Sequence, residues 1–197
     1  MAGSQSVFRE SRWWRSHEWW RLNIPAIHRS WLLDAGSLTA RLRASCRVSF
    51  AVHVRSQSWG KPLRSEQRDL DCERGPWSFI REVNLQCDGE PVVFARTVVP
   101  STTLNEGQRR LLRLGSKPLG ELLFRDRQME RDGIEVTYLK PGDVLFHRAL
   151  GPGGDLGGIW GRRCVFRLHG QPLLVNEIFL PNLFERAAID AGEFGRK

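Results

Sequence analysis

One glutamate and two arginines stand where the sequence pattern predicts apolar, inward-facing positions. Trp160 to Pro181 reads as two strands joined by a two-residue His169–Gly170 turn, the glycine supplying the positive φ that such turns need. In that register Leu168 faces Gln171, Phe166 faces Leu173, Cys164 faces Val175 and Arg162 faces Glu177. Side chains alternate along a strand, so Cys164, Phe166, Leu168, Leu173, Val175, Glu177 and Phe179 share one face, and the face carrying Arg163, Arg167 and Asn176 reads as the wetter one. A carboxylate on the apolar face is costly without a partner or a task. An ion pair with Arg162 is the structural explanation for Glu177; a place in a binding site is the functional one.

Trp77 to Pro100 is a second hairpin, signalled by Asp88–Gly89. A two-residue turn there pairs Cys87 with Glu90, Leu85 with Val92, Val83 with Phe94 and Arg81 with Arg96. Like charges opposite one another repel, so an anion is expected beside Arg81 and Arg96. Either carboxylates of the protein fill that role, or the carboxylate of a ligand held by the arginine fork does.

The remaining elements frame these hairpins. Cys46 to Arg55 alternates as a half-buried strand, with Val48, Phe50, Val52 and Val54 on one side and His53 on the other, which makes His53 an edge or surface residue. Ser37 is a fitting N-cap for a short helix over Leu38 to Ala44. Pro118 sits in the first turn of another, whose free N–H groups near Leu119 and Gly120 can meet an anion. Gly133 to Leu139 is a short strand. Ser56 to Gly75 reads as a loop, and Lys140 to Gly158 as a mobile loop without a dinucleotide or P-loop fingerprint. The sum is an α+β domain with about six strands in an antiparallel sheet and short helices on one face. Three parts are expected: a Trp/Arg-rich segment over 1–24, the domain over 25–185, and a tail over 186–197.

Composition narrows the classes. A chain of 197 residues with 41% apolar and 26% charged content suits one soluble core, and no apolar run approaches the ~20 residues a membrane span requires. The formal charge of +8 invites nucleic acid, but the arginines are scattered and no stacking motif accompanies them, so no nucleic-acid partner is expected. Cys46, Cys72, Cys87 and Cys164 form no C-x-x-C pair and suggest neither zinc nor a disulfide framework, which fits a cytoplasmic protein. Trp13, Trp14, Trp19 and Trp20 alternate with Arg9, Arg12, Arg15 and Arg21. The plain reading packs the indoles on the domain; the sharper one has them touch a membrane surface transiently.

Asp88 to Pro100 (D-G-E-P-V-V-F-A-R-T-V-V-P), Leu114 to Phe124 (L-G-S-K-P-L-G-E-L-L-F), Arg131 to Glu135, Trp160 to Arg163 and Gly170 to Pro181 occur in an order that resembles the chorismate pyruvate-lyase family. The N-terminal third matches loosely, through W-L-L and S-L-T-A-R. The resemblance implies a single α+β domain, no metal or organic cofactor, and conversion of chorismate to 4-hydroxybenzoate and pyruvate at the entry to ubiquinone biosynthesis. It implies an internal pocket beneath flap-like segments, with chorismate as substrate and 4-hydroxybenzoate as product; a monomer is expected. Carried over by motif, the carboxylate-binding arginine is Arg81, a second pocket arginine is Arg96, the pocket glutamate is Glu177, and backbone contacts fall on Leu38 and Leu119. The Lys140–Gly158 segment is longer than the family's usual link, and the Trp/Arg segment has no counterpart. The competing class is a non-catalytic small-molecule sensor of the same fold; such regulators carry a helix-turn-helix domain ahead of the sensor, for which the short N-terminal segment leaves no room.

Overall fold

In the computed structural model, residues 9–72, 77–104, 109–151 and 157–186 are described. In chain order they form β1 (Trp14–Arg15), a 3₁₀ turn (Ser16–Arg21), α1 (Ala26–Leu32), α2 (Leu38–Ser45), β2 (Phe50–Gly60), α3 (Arg64–Asp69), β3 (Ser78–Cys87), β4 (Glu90–Pro100), two further 3₁₀ turns (Ser101–Thr103 and Arg109–Arg113), α4 (Leu119–Arg125), β5 (Met129–Arg131), β6 (Glu135–Leu139), α5 (Val144–Leu150), β7 (Ile159–Leu168) and β8 (Gln171–Phe179). The strands make one antiparallel eight-stranded sheet in the order β1-β6-β7-β8-β4-β3-β2, with β5 beside β6 on the same edge of β7. β1 and β5 are the strands beyond the expected six. At two and three residues they are too short to show a period of two.

Asp88 (φ 54°) with Gly89 (86°), and His169 (52°) with Gly170 (78°), are left-handed at both turn positions. That is the geometry of a two-residue hairpin whose twist matches its strands. The β7–β8 register is the expected one throughout, from Leu168 opposite Gln171 to Arg162 opposite Glu177. The β3–β4 register departs after two pairs. Cys87 faces Glu90 and Gln86 faces Pro91, but Leu85 then faces Val93, so Val92 is an extra residue on β4. Pro91 has no N–H to give the ladder at that point. Beyond the bulge Glu82 faces Arg96 and Arg81 faces Thr97. A slip of one residue moves a side chain to the other face, and Arg96 is therefore not beside Arg81.

Both faces of the sheet are covered, not one. On the front, Trp31, Leu32, Leu38 and Leu42 of α1 and α2 pack on Val52, Val83, Leu85 and Ala95, while Leu119 and Leu123 of α4 pack on Phe166, Leu173 and Val175. On the back, Leu145 and Phe146 of α5 meet Phe94 and Ile178, and Leu70 after α3 meets Val98, Val165 and Leu174. Arg163 and Asn176, expected on a wet face, are buried there.

The two stretches read as loops hold structure. β2 continues to Gly60 through a bulge at Arg55 that breaks its apolar alternation, and α3 follows with R-S-E-Q-R-D, which has no apolar period to read. Within 140–158, Asp143 Oδ2 accepts the Lys140 N–H (2.7 Å), α5 begins at Val144, and Gly151 (φ 79°) ends it; residues 152–156 lie outside the described residues. Ser37 caps α2 as expected, its Oγ accepting the Ala40 N–H at 3.3 Å.

Residues 9–24 pack on the domain. β1 pairs with β6, Arg9 bridges to Asp143, and Trp14 and Trp19 pack against the front core. Trp20 alone of the four is largely exposed, at 77%. Cys46 and Cys87, expected as free thiols, are joined by a disulfide with Cα atoms 5.1 Å apart. They are 41 residues apart in sequence, so local spacing gives no sign of the pair; β2–β3 pairing brings Cys87 opposite Phe50. No helix of the described residues is long and apolar enough to cross a membrane. Residues 187–197, most of the expected tail, lie outside the description.

Candidate active site

A cavity of about 50 Å³ lies between the front of the sheet and the N-terminal ends of α2 and α4. Val52, Val83, Ala95, Phe166 and Val175 make an apolar floor, and Leu38, Thr39, Leu119 and Leu123 cover it. Two charged residues line it: Arg81 from β3 and Glu177 from β8.

Arg81 is 3% exposed. Its Nη2 donates to the carbonyls of Gly115 (2.8 Å) and Lys117 (3.2 Å), and its Nε is buried without a partner. No carboxylate of the described residues pairs with it. Burial pushes its pKa down to about 10, which leaves it a cation at neutral pH. A buried cation that meets only carbonyl dipoles is under-compensated, and an anionic ligand would restore the balance.

The segment L-G-S-K-P-L-G-E-L-L-F now has a physical reading. Gly115 (φ 52°) makes the turn whose carbonyls meet Arg81, and Lys117 N–H closes it on Leu114 O at 2.8 Å. Pro118 opens α4 with φ −64°, losing no helix bond because the first N–H groups have no carbonyl behind them. Gly120 lies so near α2 that a Cβ there would sit 3.1 Å from Thr39 Oγ1 and 3.5 Å from Ser37 Oγ. The first turns of the two helices therefore converge over the cavity. Leu38 and Leu119 each hold the first position of their helix, where the N–H is free of the helix ladder.

Glu177 makes the ion pair with Arg162 and also lines the cavity. Its Oε2 accepts Arg162 Nε at 2.6 Å across β7–β8, and its side chain also reaches the cavity. Arg162 itself does not line the cavity.

Arg96 does not join these residues. It lies on the back of the sheet, 2% exposed, with Nε and Nη2 on Glu66 (2.8 and 3.0 Å) and Nη1 on Glu82 (2.7 Å). Asn176 Nδ2 adds a bond to Glu66 Oε1 (2.9 Å), and Arg148 a second cation on Glu82 (2.9 Å). The expected anions beside Arg96 are thus carboxylates of the protein. Burial alone would raise the Glu82 carboxyl, but Arg148 and Arg96 outweigh it and hold the pKa below the usual value. Thr97 takes the front position opposite Arg81 and lines the cavity, as does Thr39. Neither stood out in the sequence: Thr97 comes to the front only through the bulge at Val92, and Thr39 follows an N-cap whose partner helix is distant in the chain.

The family model described as chorismate lyase matches residues 8–189. The chain belongs to the chorismate lyase family. Among its relatives, a probable chorismate pyruvate-lyase of Azoarcus sp. (strain BH72) is 44% identical over 158 residues, covering 78% of this chain and 83% of that one. A probable chorismate pyruvate-lyase of Methylococcus capsulatus is 40% identical over 153 residues, covering 77% and 93%. As a member of the chorismate lyase family the chain also shares its fold with solved structures of low identity. The effector domain of PhnF from Mycobacterium smegmatis superposes with a TM-score of 0.50 at 15% identity, covering 76% of this chain and 91% of that domain. The chorismate lyase match includes both hairpins and both helices that enclose the cavity, so the whole candidate site lies inside it.

Proposed function

We propose that this member of the chorismate lyase family converts chorismate to 4-hydroxybenzoate and pyruvate in the cavity between Arg81 and Glu177. The observation that carries the proposal is Arg81: a buried guanidinium that no carboxylate of the described residues meets, at one end of an apolar cavity whose other end holds Glu177. The names of the relatives point to the same substrate.

In this reading Arg81 and the free N–H groups at Leu38 and Leu119 bind the ring carboxylate. Glu177, with Oε2 on Arg162, offers Oε1 to the ring hydroxyl at the far end. The bond between the ring and the enolpyruvyl oxygen breaks, and its electron pair becomes the pyruvate carbonyl. The hydrogen of the hydroxyl-bearing carbon passes to the enolpyruvyl methylene, and the C–H pair completes the aromatic ring. Aromatisation drives the reaction, so the site has chiefly to hold the reactive conformer and exclude water. Arg96 has no part in it; its place on the back of the sheet leaves it to the fold.

A cavity of about 50 Å³ is far below the ~300–1,000 Å³ of sites that enclose small molecules. Entry therefore requires the converging ends of α2 and α4 to part and close again. The enzyme works in this reading as a cytoplasmic monomer that supplies 4-hydroxybenzoate to ubiquinone biosynthesis. A non-catalytic sensor is supported only by the likeness of fold to the PhnF effector domain. Incubation with chorismate, assaying 4-hydroxybenzoate and pyruvate together, decides between them. Equimolar release of both is the expected result; binding of 4-hydroxybenzoate without turnover would leave the sensor.

A further inference from the structure

We propose that Arg162 is a positioning residue that couples the roof of the cavity to Glu177, an inference that rests on the reading of Glu177 just given. The Arg162 guanidinium is 1% exposed and divides its donors between two tasks. Nε donates to Glu177 Oε2 at 2.6 Å, and Nη1 donates to Trp31 O (2.9 Å) and Asp34 O (2.6 Å). Trp31 is in the last turn of α1, where carbonyls have no helix partner and a cation is favoured. Asp34 lies in the connection to α2, four residues before Leu38 on the roof.

That connection is tied down by its side chains. Asp34 Oδ1 accepts the Gly36 N–H (2.7 Å), Oδ2 accepts Arg41 Nη1 (3.0 Å), and the Arg41 guanidinium lies 3.9 Å over the Trp31 ring. A shift of Asp34 is thereby passed on to the start of α2. One buried fork thus fixes the carboxylate that meets the ligand and the backbone that leads into the cover above it. An ammonium could keep the charge but not both directions, because a lysine lacks the planar set of donors. When the roof parts to admit substrate, Asp34 and Trp31 draw on the same guanidinium that orients Glu177. The glutamate is then set in its working position only as the roof closes.

The test is a double-mutant cycle of Arg162→Lys and Glu177→Gln, read by kcat and KM on chorismate and by amide hydrogen exchange of residues 33–40 with and without 4-hydroxybenzoate. Arg162→Lys should lower kcat by about 10²-fold in the wild-type background, as misplacement of a reacting group does. With Glu177→Gln already present it should lower kcat by no more than about threefold, since both act through one group. In the wild type, 4-hydroxybenzoate should slow exchange across 33–40; in Arg162→Lys it should not. Equal fold-losses of kcat in both backgrounds would reduce Arg162 to a fold-stabilising ion pair and overturn the proposal. So would ligand-induced protection of 33–40 that survives the substitution. Should the wild type yield no product from chorismate, the catalytic reading falls, and the exchange measurement alone decides the coupling. Arg162→Gln, which keeps an amide donor group without the charge, stands in where the lysine variant does not fold.

Discussion

Arg81 and Glu177 face one cavity from strands two apart, with β4 between them: Thr97 stands opposite Arg81, and Ala95 opposite Glu177. From strand spacing and rise their Cα atoms are roughly 12 Å apart. Both side chains line the cavity from the two ends of that gap. The alanine beneath that gap keeps the floor low.

Arg81 is therefore expected to govern affinity as well as turnover. Arg81→Ala should cost about 2–4 kcal/mol of transition-state stabilisation, roughly 30- to 1000-fold in kcat/KM. It should also weaken binding of 4-hydroxybenzoate, read by titration calorimetry. Undiminished product affinity would move the carboxylate site away from Arg81.

Arg96 is expected to govern stability. Truncating it leaves Glu66 and Glu82 buried without their shared cation, and removing one partner of a buried pair costs about 3–5 kcal/mol. Urea unfolding of Arg96→Ala should show a loss of that order. Among molecules still folded, product affinity should remain that of the wild type, because no atom of Arg96 lines the cavity. A selective loss of affinity with normal stability would restore Arg96 to the site.

Asp88 gives stability its pH dependence at the β3–β4 turn. The Ser49 and Val48 N–H groups on Oδ1 (2.8 and 2.7 Å), the Arg186 guanidinium, and the Arg47 N–H on Oδ2 (3.1 Å) hold its carboxyl well below the usual range. A carboxyl whose folded pKa is depressed stabilises the fold fully above its unfolded pKa of about 3.9, and that stabilisation fades as the pH falls toward the folded value. Thermal melts of wild type and Asp88→Asn should thus differ at pH 5–7, and the gap should begin to narrow below about pH 4 and keep narrowing as the acid strengthens. A gap that stays constant into acid would mean that the ionised form is not the one the turn binds.

The Cys46–Cys87 bond ties the end of α2 to the end of β3 and closes a loop over a separation of 41 residues. Loop-closure entropy for that length predicts a stabilisation of about 4 kcal/mol. Reductant should lower the unfolding midpoint of the wild type and leave Cys46→Ser, already lowered, unchanged. Equal midpoints with and without reductant would show that the pair adds nothing to the fold.

The sequence by itself determined the β7–β8 hairpin and with it the place of Glu177. A His-Gly turn of two residues admits one register, and that register put Glu177 on the apolar face opposite Arg162. It likewise determined the cap of α2 at Ser37 and the start of α4 behind Pro118, because both signals act within one helical turn. Tertiary structure decided which face Arg96 occupies. The Asp-Gly turn was legible, but the extra residue at Val92 was not: a bulge in one strand is held by its partners, and one residue of slip exchanges the faces. Long-range packing also decided that the polar back of the sheet would be buried. Glu66 comes from α3, a helix with no apolar period to announce it, and reaches Arg96 from 30 residues away in the chain. The paired charges on both partners make that burial tolerable, and charge pairing between distant segments leaves no periodic trace in either.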